Sequence, residues 1–264
     1  MNAVGGGEGE DAGVDLLAIG PHPDDVELFC GGTVAMLARR YRVVILDLTR
    51  GERASNGTPE LRAEEALAAA EVLGVARRDN LGLPDGGIHA HDPVQVAALV
   101  AYLRRWRPRV VMAPLGVERH PDHAEAGGLV ERAVFFAGVA GAGGARHRVD
   151  EVMYYPMRVE AEASFAVDVS AVIDLKRRAV ACHASQVGAL GVGPESVGPA
   201  GRVATMVSDP RSAAALEARE RMWGARIGVD FAEPFVVHRT LAVDDPVAFL
   251  AGRPRPVLFP ERRR

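Results

Sequence analysis

Two hydrophobic periods alternate along the first half of the chain. "VDLLAIG" (14–20), "RVVILDLT" (42–49) and "RVVMAPLG" (109–116) are short, continuous apolar runs, the pattern of strands buried on both faces. Between them, "GGTVAMLARR" (31–40), "TPELRAEEALAAAEVLGV" (58–75) and "DPVQVAALVAYLRRWRP" (92–108) repeat their apolar residues at helical spacing. Thr58 offers an N-cap, Pro59 the first helical position and Gly74 the stop, and Asp92-Pro93 opens the third helix. "DNLGLPDGG" (79–87) reads as a short strand and a turn. The second half continues with strands at 150–155 and 164–169, helices near 172–187 and 210–226, and a late strand around 234–239.

Strand–helix alternation with unbroken apolar strands predicts an α/β fold. The expected form is a single three-layer domain over 14–264, with a mostly parallel Rossmann-like sheet covered by helices on both faces. The Gly-rich, acidic segment 1–13 is expected to be a disordered tail. "GALGVGPESVGPAG" (188–201), flanked by helices, reads as a mobile loop near a site.

Composition refines this picture. With 48% hydrophobic and 25% charged residues, the 264-residue chain can build a substantial core. A net charge of −4 and a pI of about 6.1 argue against nucleic acid or an anionic membrane as partner, since both need a basic face. "AVFFAGVAGAGGA" (133–145) is too short and glycine-rich for a bilayer span of about 20 residues. No signal peptide is read at the N-terminus, and Cys30 and Cys182 form no disulfide framework, so a cytoplasmic protein with reduced thiols is expected.

The chemistry concentrates in two stretches, "GPHPDDVELFCGG" (20–32) and "RHPDHAEAG" (119–127), each directly after an apolar run. Open parallel sheets bind ligands beyond the carboxyl ends of their strands, so both stretches should surface on one rim. Taken singly, an Asp after Pro is a turn or capping residue; the shared placement favours a site. His22, Asp25 and His123 offer two imidazoles and a carboxylate, which suits Zn²⁺ with one position left open, and Fe²⁺ accepts the same set. Structural zinc sites are closed by four ligands, usually with thiolates, so the open set points to catalysis. Asp24 then stands as general base, and His120 as the group that steadies an oxyanion or protonates a leaving amine. Asp122 is expected to hold His120 in one tautomer. Glu27 reads as a charge at the start of a helix, His89 and His91 as exposed, and His183 as a packed or surface residue of an amphipathic helix. Gly31-Gly32 reads as a site of close helix–strand approach.

"PHPDD" (21–25) with "HPDH" (120–123) resembles the PIG-L/LmbE-type zinc deacetylases, which remove acetyl groups from N-acetylglucosamine conjugates. The resemblance covers nearly the whole chain. "LTRGERASNGTPELRAEEA", "LGLPDGGI", "VERHPDHAEAG", "CHASQV" and "EARERMWGARIGVDFAEPF" look like the branch acting in bacillithiol biosynthesis, whose members hydrolyse N-acetyl-glucosaminyl L-malate. It implies metal ligands at His22, Asp25 and His123, a base at Asp24 and an oxyanion-stabilising histidine at His120; Pro21 stands where the family usually has Ala. It also implies a small-molecule N-acetylated amino-sugar conjugate with an anionic aglycone, and a homo-oligomer with a hexamer as the candidate form. Arg53 and Arg119, the arginines nearest the two motif loops, are the expected substrate contacts, because a guanidinium matches a carboxylate bidentately. Gln186 is a candidate for a sugar hydroxyl, with capping as its simpler role. The alternatives are the same chemistry on a mycothiol precursor, a chito-oligosaccharide or an antibiotic intermediate, and a non-catalytic metal- or sugar-binding module.

Overall fold

Along β1 (Leu16–Gly20), β2 (Val43–Thr49) and β4 (Val110–Pro114), successive side chains bury on opposite faces. Leu17, Ile19, Val44, Leu46 and Val111 join one apolar cluster, whereas Leu16, Ala18, Val43, Ile45 and Met112 join the other. This is why the strands read as continuous rather than alternating. A computed structural model of the protein describes residues 13–140, 145–187 and 203–251. The expected tail (all but Gly13), the 188–201 loop and the terminal "ERRR" lie outside them.

With β3 (Arg77–Leu83) and β5 (Glu151–Tyr155), the strands form a five-stranded parallel sheet in the order β3-β2-β1-β4-β5. The helices α3 (Pro93–Trp106) and α4 (Pro121–Ala137) cover one face. The other is covered by α1 (Asp25–Ala38), α2 (Pro59–Leu73) and α5 (Ile173–Cys182). The short α6 (Ala184–Val187), α7 (Pro210–Ile227) and α8 (Pro246–Ala251) follow. Strands β6 (Phe165–Asp168) and β7 (Ala232–Phe235) form a separate antiparallel pair. No helix among the described residues is long and apolar enough to cross a membrane.

Strand order reverses between β1 and β4. From β1 the chain builds toward β3; from β4 it builds the other way, toward β5. Such a switch point leaves a crevice beyond the carboxyl ends of the two neighbouring strands. The loops into α1 and α4 both open there.

Three elements depart from the hydrophobic pattern. The first helix starts at Asp25 rather than near Gly31, and non-helical Cys30 (φ −144°) breaks it in the middle. Glu233 of β7 caps the second half, accepting from the Gly32 and Thr33 amides at 2.9 and 2.7 Å. Gly32 is needed because a Cβ there would lie 2.8 Å from Val169. The helix α4 hides in sequence behind Gly127-Gly128. At Gly127 a Cβ would lie 2.6 Å from the Pro114 carbonyl oxygen, so the glycine lets α4 close onto the end of β4. The span 172–187 is not one helix. It breaks at His183, and Glu65 of α2 caps the short α6 by accepting from the Ser185 amide and hydroxyl, each at 2.6 Å.

Candidate active site

The loop after β1 is folded back by its own side chains. Asp25 Oδ2 accepts from the His22 amide at 3.0 Å and lies 3.2 Å from His22 Nδ1. Across the switch point, α4 brings in His123 on its first turn. Its Nε2 lies 3.2 Å from His22 Nδ1 and 3.3 Å from Asp25 Oδ2. Residues 101 positions apart thus place three lone-pair atoms at the corners of a nearly equilateral triangle, all three residues being buried. Tetrahedral zinc, with bonds of about 2.0–2.1 Å, separates its ligand atoms by about 3.3 Å. Two imidazole nitrogens and a carboxylate oxygen repel one another at this spacing unless a cation or protons lie between them. The donor set and its dimensions therefore fit a divalent metal. A second triple, His22, His120 and Asp122, meets the same distance limits, but its Asp122 is committed to other donors.

The far side of the His22 ring explains which nitrogen faces the cation. Nε2 lies 3.1 Å from Asp122 Oδ2 and 3.2 Å from Asp85 Oδ1, so the proton sits on Nε2 and leaves Nδ1 free to ligate. Asp122 is itself held by the Gly86 and Ile88 amides, at 2.7 and 3.2 Å. Burial would lower the His22 imidazole, but Asp122, Asp25 and Asp85 outweigh it and hold it well above the ordinary histidine value.

A cavity of about 560 Å³ opens over these atoms, lined by Asp24, Arg53, Arg119, His120 and Gln186 among others. Residues 17–134 match the family described as PIG-L: GlcNAc-PI de-N-acetylase. The chain is 35% identical over 192 residues to diacetylchitobiose deacetylase of Thermococcus kodakarensis, spanning 65% of this chain and 69% of that protein. It is 34% identical over 173 residues to a 1D-myo-inositol 2-acetamido-2-deoxy-alpha-D-glucopyranoside deacetylase of Kineococcus radiotolerans, over 49% of this chain and 48% of that one. A conserved protein of Thermus thermophilus shares the structure with a TM-score of 0.76 and 43% identity, over 88% of this chain and 98% of that one. The chain belongs to the PIG-L family of metal-dependent N-deacetylases.

Within this PIG-L deacetylase, Asp24 and Asp25 both line the cavity although they are adjacent. The backbone of Asp24 has a φ of 134°, rare for any residue but glycine. Burial pushes the Asp24 carboxyl up to about 6, with Arg62 pulling the other way. His120, exposed at the mouth, has its ring 5.1 Å from that of His22 and 4.6 Å from that of His123, centroid to centroid. Burial, then the two neighbouring imidazoles, lower it from the ordinary histidine value.

The expected Asp122–His120 pairing is not formed. Asp122 turns inward to His22 and the 86–88 backbone, because two main-chain N–H groups and a buried imidazole converge on it there. Glu27 lies in the first turn of α1, the charge at a helix start that its position promises. It is fully buried, bonded to Arg78, and 3.3 Å from His183 Nε2. Against the pull of burial, Arg78 holds its carboxyl down at about 2. His183 is a packed residue, fully buried, at the break between α5 and α6. Gln186 lines the cavity while its amide donates to the Asn56 carbonyl at 2.8 Å, an anchoring role rather than a cap.

Sequence reasoning missed several charged cavity residues, among them Glu118, Asp85, Arg158 and Arg62. Asp85 sits in the turn of "LGLPDGG", where an Asp passes as turn chemistry; here it bonds the Arg53 amide at 2.7 Å as well as facing His22. Arg158 follows β5 and carries no motif signal. Arg62 sits on α2 at a position that reads as a polar helix face, yet its side chain is only 4% exposed.

Proposed function

We propose that this PIG-L enzyme removes the acetyl group from an N-acetylglucosamine conjugate whose aglycone is anionic, N-acetyl-glucosaminyl L-malate, as a step of bacillithiol biosynthesis. The observation that carries the reading is the convergence of His22 Nδ1, Asp25 Oδ2 and His123 Nε2 beneath a cavity with a cationic rim. Arg53, Arg119 and Arg158 line it, and none of their guanidinium groups is ion-paired with a carboxylate among the described residues. A guanidinium not already paired with a carboxylate is suited to bind a substrate carboxylate.

His22, Asp25 and His123 would hold the cation, with zinc favoured by the donor set and Fe²⁺ also compatible. When bound, it supplies Lewis-acid polarisation of the acetamide carbonyl and acidifies water. Asp24 takes the proton of the attacking water, a role suited to a carboxyl raised toward neutrality by burial. His120, at the cavity mouth, steadies the tetrahedral oxygen and shares with the protonated Asp24 the delivery of a proton to the departing amine. Asp122 and Asp85 keep the His22 tautomer that leaves Nδ1 free. Two unpaired cysteines, Cys30 buried, support a reducing cytoplasmic setting. The exposed Phe135, Phe136 and Val94 on the α3/α4 face support assembly into a homo-oligomer.

The test is metal analysis of the purified protein together with amine release from a substrate panel. Faster release from the malate glycoside than from the inositol glycoside or diacetylchitobiose is expected, with Arg119→Ala raising KM for the malate glycoside alone. Preference for a neutral conjugate would refute the anionic aglycone. A metal-loaded protein releasing amine from none would refute catalysis on these conjugates.

A further inference from the structure

Arg62 reaches from α2 under the floor of the cavity. Its Nη2 donates to the Pro23 carbonyl at 2.7 Å and its Nη1 to the Gly51 carbonyl at 3.0 Å. Nη2 also stands 3.7 Å from Asp24 Oδ2, at ion-pair distance. The Nε atom is buried with no hydrogen-bond partner among the described residues. Both terminal nitrogens are thus spent on main-chain carbonyls either side of the site, and the carbonyl at 23 belongs to the peptide that enters Asp24.

That peptide is where the backbone departs from the usual. Asp24 (φ 134°, ψ −26°) and Arg107 (φ 50°) are the described non-glycine residues with positive φ, and only the Asp24 value lies outside the ordinary left-handed well. With this conformation two consecutive carboxylates line one cavity, Asp25 bonded back to His22 and Asp24 facing Arg62. A strained backbone persists only where its surroundings over-determine it. The Asp24 side chain makes no capping bond to α1; the turn's own bonds, Asp25 N–H to the His22 carbonyl at 3.3 Å and Leu28 N–H to the Asp24 carbonyl at 2.9 Å, are joined from outside by the Arg62 contact.

Gly51 supplies an independent observation. Its φ is +62°, and a Cβ there would fall 1.8 Å from Arg62 Nη1. The space a side chain would take at position 51 is filled by the guanidinium. Gly51 and Arg62 therefore form one device, a seat and the group in it.

We propose that Arg62, seated against Gly51, is the positioning residue of Asp24: it clamps the Pro23 carbonyl and so holds the strained backbone that aims the Asp24 carboxylate into the cavity. None of His22, Asp25 or His123 is bonded to Arg62 among the described residues, so the clamp's direct contacts are with the base and its peptide and not with the cation-binding atoms. A lysine at 62 carries the charge but lacks the two-nitrogen fork that spans both carbonyls. An alanine at 51 displaces the guanidinium while leaving Arg62 in the chain.

The inference rests on Asp24 as the base, and the experiment separates the two. The zinc-loaded Arg62→Lys, Gly51→Ala, Asp24→Asn and Asp24→Asn/Arg62→Lys enzymes are compared for metal per chain, for kcat and KM on N-acetyl-glucosaminyl L-malate, and by crystal structure. Arg62→Lys and Gly51→Ala should keep full metal and a KM within about threefold, and lose about 100-fold in kcat, the cost of misplacing a catalytic group by an ångström. In both crystal structures Asp24 should leave its positive φ. The double variant should be no slower than Asp24→Asn, because both changes act through one carboxylate; general destabilisation would add to the loss instead. Wild-type kcat in Arg62→Lys beside an inactive Asp24→Asn would overturn the clamp, as would an unchanged Asp24 backbone in both crystal structures. An active Asp24→Asn would overturn the base, and the crystal structures would then decide the clamp alone.

Discussion

Replacing Asp122 by Ala separates two jobs that the carboxylate could do. It accepts from His22 Nε2 at 3.1 Å and from the Gly86 and Ile88 amides at 2.7 and 3.2 Å. Removing the partner of a ligating histidine typically lowers metal affinity ten- to a hundredfold, about 1.4–2.8 kcal/mol. Asp85 Oδ1 remains 3.2 Å from the same nitrogen, so the loss should fall at the lower end, about tenfold. Two amides are also left without an acceptor, at about 1–3 kcal/mol each, so the metal-free protein should lose a few kcal/mol of stability. Zinc titration against a competing chelator reads the first quantity, and urea unfolding of the metal-free protein the second. If Asp122→Ala kept wild-type zinc affinity while kcat collapsed, the carboxylate would be working through His120, and the orientation of His22 would have another origin.

Gly127→Ala should cost about 1–3 kcal/mol, because its Cβ has nowhere to go but into the Pro114 carbonyl; the midpoint of denaturant unfolding reports it, and an unchanged midpoint would refute the close approach of α4 to β4. A second expectation concerns acid. Glu27, with an ordinary value of 4.5, is held down at about 2 by Arg78, so the unfolded chain takes up its proton first. Its stabilisation is complete above pH 4.5 and drains away as pH falls toward 2. Glu27→Gln should therefore lower Tm at pH 7 and flatten its fall over that acid range, and parallel curves for the two proteins would sink the assignment.

The fold was legible where a hydrophobic run meant one thing. β1, β2 and β4 could only be strands buried on both faces, and Thr58 and Asp92 cap their helices as their sequences promise, accepting from the Leu61 and Val94 amides. The α4 helix escaped because glycines chosen for contact with β4 read locally as loop. The three ligand candidates were legible because two His-Pro-Asp stretches each follow a strand, and adjacency of β1 and β4 brings them together. What could not be read was the partner of each polar group. Asp122 faces inward, and Arg62 and Arg78 are buried under carboxylates and carbonyls contributed by segments distant in the chain. No local pattern encodes such pairings; they follow from how α2 packs on the sheet and where β3 sits within it.

Asn56 pairs with Val203 as one strand would with another, its side-chain amide giving to the carbonyl and taking from the N–H, both at 2.9 Å. The segment that follows, Thr205 to Val207, forms a wall of the cavity yet supplies no cation ligand. Because the Asn56 side chain grips only the main chain of Val203, the attachment does not depend on which side chain stands at 203. The side chain there can thereby change by descent without releasing the wall that follows.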